Sequence, residues 1–205
     1  MKRTMADKKN TPHLYVFAGA NGSGKSTVIK FFLKNKLCPL NYICPDQLVP
    51  TDKKDDVGEY IRAMEEAERR RIDNVADKNS FTFETVLSTK NKLDFINYAK
   101  AEGYIVVAIY VITSDYEINI ARIKNRVTHG GHDVPVDKVI SRFEKSMRLM
   151  PDVVNAAHEA LIFDNSGSGP LVIFAKYIDG RYFVLKQFPE WLKKYYSRED
   201  LLKLL

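Results

Sequence analysis

The residues of this chain best suited to chemistry begin at Gly19. The stretch "GANGSGKS", Gly19 to Ser26, fits the pattern G-x-x-x-x-G-K-S/T. It follows the apolar run "LYVFAG" and leads into "STVIKFFLKNKL", in which Val28, Ile29, Phe32 and Leu33 share one helical face. A glycine-rich turn between a strand and a helix lets backbone N–H groups wrap a phosphate without Cβ clashes, and the helix N-terminus adds positive potential. In that setting Gly19, Ala20, Asn21, Gly22, Ser23, Gly24, Lys25, Ser26 and Thr27 are predicted to hold a nucleoside triphosphate, ATP or GTP. Lys25 would reach the β- and γ-phosphates, and the Ser26 hydroxyl would bind the accompanying Mg2+.

Phosphoryl transfer needs in-line positioning, charge neutralisation and a group to orient the attacking oxygen. In an open α/β sheet these groups come from the carboxyl ends of strands. Two carboxylates fit: Asp46, after "NYICP", and Glu84, late in "FTFETVL". By residue type alone, Asp46 in "PDQL" also reads as a turn or helix-cap residue. Glu84 in an apolar strand carries a desolvation cost unless it is paired or faces a polar crevice. Neither segment is a hydrophobic run ending in the magnesium-holding aspartate of motor ATPases, and no "LSGGQ"-like segment occurs. Small kinases are the class that remains.

"RVTHGGHDVP", Arg126 to Pro135, sets two histidines around a glycine pair, with Arg122, Arg126 and Arg142 nearby. A zinc site needs more ligands than His129 and His132 supply there. Two readings stay open. One is a plain interhelical turn, since a glycine pair followed by Val-Pro is a good helix stop and restart. The other is a lid that brings Arg126 and Arg142 onto the triphosphate from opposite sides, with His132 touching phosphate or substrate. By analogy with other P-loop kinases, Asn165 in the turn "DNSGSGP" would contact the adenine.

The elements that must position these residues alternate between short apolar runs and amphipathic stretches. That alternation predicts an α/β fold, a doubly wound and mostly parallel sheet flanked by helices. A helical lid, a C-terminal hairpin around Asp179-Gly180 and a closing helix from Pro189 complete it. With 205 residues and 45% hydrophobic content, residues 13–205 are expected to form one P-loop kinase-like domain behind a disordered basic leader, 1–12. The charge of 32 − 26 = +6 is spread along the chain, which suits a polyanionic ligand and permits nucleic-acid binding without pointing to it. Cys38 and Cys44 lack CxxC spacing and fit a reducing compartment. No signal peptide is recognisable, and "YIVVAIYVI" is too short to span a bilayer. A cytoplasmic protein with no membrane partner is therefore expected; the oligomeric state stays open.

"YVFAGANGSGKSTV", "NYICPDQL", "FTFETVLST" and "RVTHGGHDVPVDKVISRFEKS" occur in the order found in the zeta toxin family. From about residue 14 to residue 167 the chain resembles the compact branch of that family, which carries a "GGH-x-V-P" element. The resemblance implies an ATP- and Mg2+-dependent kinase that phosphorylates the sugar 3′-hydroxyl of UDP-N-acetylglucosamine or a related UDP-amino sugar. It also implies the toxin of a toxin–antitoxin pair, with a small antitoxin as partner. Carried onto this sequence, Asp46 would be the general base, Glu84 and Thr85 would bind the acceptor sugar, and Arg126 and Arg142 would stabilise the transferring phosphoryl group. The alternatives are a kinase of another small molecule, an antibiotic or a metabolite, and a non-enzymatic ATP-binding switch module.

Overall fold

Parallel strands cannot be joined by tight turns, so each must be followed by a crossover, and here helices supply it. The computed structural model describes residues 11–53, 56–176, 182–183, 189–197 and 199. Strands β1 (His13–Ala18), β2 (Tyr42–Ile43), β3 (Phe81–Thr85), β4 (Ile105–Ile112) and β5 (Glu159–Asp164) pair in parallel. Strands β6 (Leu171–Lys176) and β7 (Tyr182–Phe183) add antiparallel to the β5 edge. The seven-stranded sheet has the order β2-β3-β1-β4-β5-β6-β7. This is the mostly parallel, doubly wound arrangement expected of a P-loop kinase-like chain.

The helices are α1 (Lys25–Lys34), α2 (Pro45–Leu48), α3 (Val57–Ala76), α4 (Asn91–Ala101), α5 (Tyr116–Thr128) and α6 (Val136–Ala156). Asp56 starts α3 by accepting hydrogen bonds from the N–H groups of Gly58 and Glu59, and Asp115 starts α5 by accepting one from Glu117. Alternation along β1 divides the core. Leu14, Val16 and Ala18 join residues of α3, α4 and α6 on one face, whereas Phe17 packs with Val28, Ile29 and Phe32 of α1 on the other. Strand β4 is covered on both faces, which explains its unbroken apolar sequence.

Several boundaries depart from the sequence expectation. The "YIC" segment contributes only the two-residue β2, and the next residues turn into α2, where Pro45 presets the first helical φ. Strand β3 stops at Thr85 because Leu87 takes a φ of 52° and donates its N–H to Thr85 Oγ1 at 3.0 Å. Helix α6 continues past Met150 to Ala156 with Pro151 inside it; Met150, Val153 and Val154 lie buried on its inner face and hold that last stretch against the sheet. In place of the closing α-helix, Glu190–Lys194 form a 3-10 turn. There Trp191 Nε1 donates to Asp164 Oδ2 at 3.3 Å and Tyr195 packs edge-on against Phe143, contacts a continuous α-helix would have to satisfy at a different pitch. The Asp179-Gly180 turn, residues 1–10 of the expected leader and residues 200–205 of the closing helix lie outside the described residues.

One buried hydrogen bond ties α6 to the sheet. The Tyr110 hydroxyl of β4 donates to the Ser146 carbonyl of α6 at 2.6 Å and lies 2.8 Å from the Ser146 hydroxyl. Burial pushes this phenol above its ordinary pKa, so it stays a donor at any working pH. Tyr110→Phe is expected to cost roughly 1–3 kcal/mol, since the Ser146 hydroxyl is left unpaired in the core. Urea denaturation should show a lower midpoint at unchanged m-value; a wild-type midpoint would show that this bond does not hold α6.

Candidate active site

The loop between β1 and α1 is held open by two asparagines. Gly22 and Gly24 have φ of 78° and 97°, a region that side chains with a Cβ rarely adopt. A Cβ on Gly22 would come within 2.6 Å of the Asn119 carbonyl oxygen, and one on Gly24 within 2.2 Å of Asn165 Nδ2. Asn119, on the first turns of α5, donates from Nδ2 to the Asn21 carbonyl at 2.8 Å and accepts from Thr113 Oγ1 at 2.5 Å. Asn165, just after β5, donates from Nδ2 to the Ser23 carbonyl at 2.7 Å. Both asparagines are buried, as are Gly19, Ala20 and Ser23, while Ser26 and Thr27 are exposed at the start of α1.

Lys25 is buried within this loop and donates from Nζ to the Ala20 carbonyl at 3.0 Å. Burial lowers its pKa to about 8. The carboxylates of Glu84 and Asp46 pull it back up, and the positive charge of Arg126 pushes it further down. The ammonium group therefore senses Glu84, Asp46 and Arg126 together, which places these separately encoded residues in one electrostatic neighbourhood.

The carboxylates come from the β2–β3 side of the loop. Cys44, the last residue before α2, donates from Sγ to Glu84 Oε1 at 3.0 Å. One ligand atom each from Cys44, Asp46 and Glu84 lie within 4.8 Å of one another. Burial, and then the Glu84 carboxylate, push the Cys44 thiol up to about 12. It thus stays protonated and acts as a donor rather than a thiolate ligand. What remains is a pair of hard oxygen donors, which suits Mg2+ better than zinc. The Thr85 hydroxyl is engaged with the Leu87 N–H of its own turn.

A cavity of about 790 Å³ opens beside Asp46, between the α2–α3 region and the turn that joins α5 to α6. Asp46, Val49 and Tyr60 line one wall, and Gly130, Gly131 and His132 line the other. The Tyr60 ring stacks on the His132 ring with centroids 6.3 Å apart at 20°. Burial first, and then the nearby Asp46 carboxylate, push the Tyr60 phenol up to about 12.

The turn has a definite construction. Arg126 Nη2 donates to the His132 carbonyl at 2.5 Å, and the arginine stem fills the space a Cβ on Gly131 would need. His129 Nδ1 lies 2.8 Å from the Asn125 carbonyl, within the turn itself. Among the described residues neither histidine joins a cluster of metal ligands. From α6, Arg142 Nη1 reaches Asn21 Oδ1 of the phosphate loop at 3.3 Å. Asp46 and His132 line the cavity, and Glu84 has a carboxylate oxygen within 4.8 Å of one of Asp46. Glu84, Asp46 and Arg126 act on the charge of Lys25, and Arg142 reaches the phosphate loop. The Thr85 hydroxyl accepts from the Leu87 N–H, and the Asn165 amide donates to the Ser23 carbonyl. Sequence reasoning did not single out Cys44, Tyr60 or Asn119. The visible signal for Asn119 is an amide among the apolar positions of "YEINIARI".

The sequence model of the zeta toxin family matches residues 1–171. A Haemophilus influenzae protein described as uncharacterized is 31% identical over 135 residues, covering 62% of this chain and 89% of that protein. The AvrRxo1-ORF1:-ORF2 structure with ATP is similar with a TM-score of 0.66 at 17% identity, over 87% of this chain. This chain spans 62% of that one, less than two thirds of its length. The PezAT chromosomal toxin–antitoxin system of Streptococcus pneumoniae gives a TM-score of 0.61 at 14% identity, over 99% of this chain and 85% of that one. At these identities the structural likeness is one of fold. Among the described residues no helix is long and apolar enough to cross a membrane.

The depressed Lys25 pKa makes anion binding pH-dependent. A triphosphate beside Nζ favours the charged amine and raises its pKa. With a free-protein value of about 8, binding at pH 8 should take up close to half a proton, and binding at pH 6.5 almost none. Calorimetric titration with ATP in buffers of different ionisation enthalpy measures this; a buffer-independent enthalpy at pH 8 would show that the phosphates do not meet Lys25.

Proposed function

The chain belongs to the zeta toxin family, and on that premise we propose that it is an ATP-dependent kinase of an alcohol group. The acceptor is the sugar 3′-hydroxyl of UDP-N-acetylglucosamine or a related UDP-amino sugar, and the chain acts as the toxin of a toxin–antitoxin pair. The observation that carries this reading is the pair of carboxylates, Asp46 and Glu84, with ligand atoms within 4.8 Å of each other, Asp46 lining the cavity and both acting on the buried Lys25 of the phosphate loop.

In this reading Gly19 to Thr27 cradle the triphosphate, with Lys25 on the transferring end. Asp46 accepts the proton of the acceptor hydroxyl while its oxygen bonds to the γ-phosphorus. The bond from that phosphorus to the β–γ bridging oxygen breaks, and ADP leaves. Glu84 and Thr85 orient the acceptor, and the Cys44 thiol fixes the Glu84 carboxylate that does so. Arg126 and Arg142 spread charge away from the phosphoryl oxygens, a role suited to planar guanidinium forks. Mg2+, when bound, would neutralise phosphate charge, with the Ser26 hydroxyl as its oxygen donor from the loop. His132 and Tyr60 line the acceptor side, and about 790 Å³ is within the usual range for a small-molecule site. ATP as donor is in keeping with the AvrRxo1-ORF1:-ORF2 complex having been solved with ATP. A small antitoxin partner is in keeping with PezAT being a toxin–antitoxin system.

The test is ADP release and product mass across a panel of UDP-sugars and unrelated alcohols, with wild type and Asp46→Asn. Wild type should phosphorylate UDP-amino sugars, and the variant should lose roughly a hundred- to ten-thousand-fold in turnover while still binding ATP. Phosphorylation confined to another alcohol would overturn the sugar assignment, and an unimpaired variant would remove Asp46 from the chemistry.

A further inference from the structure

The family match ends at residue 171, yet the chain turns back on the site beyond it. Residues 189–197 seat Leu192 and Tyr196 in the core, where the Tyr196 hydroxyl donates to the Met147 carbonyl of α6. The 3-10 turn anchored in this way meets two loops, residues 113–115 after β4 and residues 164–166 after β5. Trp191 Nε1 donates to Asp164 Oδ2 at 3.3 Å, and the Tyr195 hydroxyl reaches the Ser114 carbonyl at 3.4 Å. The Trp191 and Tyr195 rings pack edge-on, with centroids 6.3 Å apart.

These are the two loops that clamp the phosphate loop. Thr113 Oγ1 donates to Asn119, whose amide holds the Asn21 carbonyl. Asn165 donates from Nδ2 to the Ser23 carbonyl at 2.7 Å, and its own N–H goes to the Ile112 carbonyl at 2.8 Å. The Ser114 N–H donates to Ser166 Oγ at 2.8 Å and so joins one loop to the other. The aim of the Asn165 side chain therefore depends on how firmly its neighbours Asp164 and Ser166 are set. Ser166 gives both its N–H and its hydroxyl to Asp164 Oδ1, at 2.9 and 2.5 Å. Among the described residues Asp164 Oδ2 has one donor, the indole of Trp191. Holding both oxygens removes the broad, two-fold freedom that the terminal torsion of an aspartate otherwise has.

We propose that Trp191 is a positioning residue for the donor triphosphate: its indole fixes Asp164, which sets the turn that aims Asn165 at the phosphate loop. The stretch beyond the family match thus contributes nucleotide affinity from a distance. Because it acts on the Ser23 carbonyl through one amide, the base of the nucleotide is immaterial, and bare tripolyphosphate senses the contact as ATP does. The inference rests on Gly19 to Thr27 holding a triphosphate, as read above, and not on which alcohol accepts the phosphoryl group.

The experiment is calorimetric titration with ATP and with inorganic tripolyphosphate, with Mg2+ and without acceptor. It compares wild type, Trp191→Phe, Asn165→Ala and the double variant. Phenylalanine keeps an aromatic ring beside Tyr195 and removes the indole N–H. Trp191→Phe should weaken both ligands alike, by roughly three- to ten-fold, the range of a single hydrogen bond. In the Asn165→Ala background the same change should cost less than about two-fold, because the route it uses is gone. Trp191 is the only tryptophan of the chain, so its emission is a second readout on wild type alone. Coupling is reciprocal, so saturation with tripolyphosphate, which carries no base to touch the indole, should change that emission. Unchanged affinity of Trp191→Phe, an equal loss in the Asn165→Ala background, or unmoved wild-type emission would each overturn the proposal and leave Trp191 a packing residue. A wild type that binds neither ligand would overturn the triphosphate reading and this inference with it. One that binds both yet phosphorylates no alcohol would sink the kinase reading without touching this one.

Discussion

Everything in this fold depends on holding a short glycine-rich stretch of backbone in one conformation. Left to itself, a run of glycines would sample many conformations, and ordering it costs more entropy than ordering any other residue type. The structure opposes that cost with two buried asparagine amides, one from α5 and one from the end of β5, that take the carbonyls of Asn21 and Ser23. Those amides fix the direction of two loop carbonyls, while the Ser23 N–H turns back to the Ala20 carbonyl. The same contact explains the glycines, because each asparagine occupies the volume a Cβ would need at Gly22 or Gly24.

That clamp requires particular neighbours. Asn119 can reach the loop only if α5 begins directly beyond β4, and Asn165 only if β5 pairs parallel with β4. The strand order therefore sets the site as well as the core. It also separates two sets of polar side chains across β1, with carboxylates toward β2 and β3 and the amides toward β5. Burying Lys25 at the centre has an electrostatic consequence. Removed from water, the amine titrates at about 8, below its ordinary value, and the Glu84 and Asp46 carboxylates offset part of that shift.

The parts legible in the sequence were those written as local patterns. The phosphate loop declares itself because glycine spacing, a preceding apolar run and a following amphipathic stretch all lie within contiguous residues. Strand β4 reads directly from its apolar run, and α3, α5 and α6 from their period. What escaped was set by tertiary context. The shortness of β2 follows from Pro45 starting a helix, and the end of β3 from the left-handed Leu87. Cys44 read only as a thiol without CxxC spacing; pairing of β2 with β3 is what brings its sulfur to Glu84. Tyr60, one of many residues on a polar helix, gains meaning only once the α5–α6 turn folds over it.

The histidine–glycine stretch shows how two sequence readings can merge. A turn and a lid looked like alternatives, yet the guanidinium of Arg126 is hydrogen-bonded to the His132 backbone while its stem packs on Gly131. A residue able to bear charge onto a phosphate is thereby built into the turn itself. The opposite wall, Tyr60, touches both the His132 ring and the surroundings of Asp46. Any displacement of Arg126 toward the phosphate loop must carry His132 with it, because the hydrogen bond spans only the turn between them. Through the Tyr60 stack, such a movement alters the cavity beside Asp46. Arg126 and the wall of the cavity beside Asp46 are therefore linked through one glycine pair, which a bulkier residue at Gly131 would force apart.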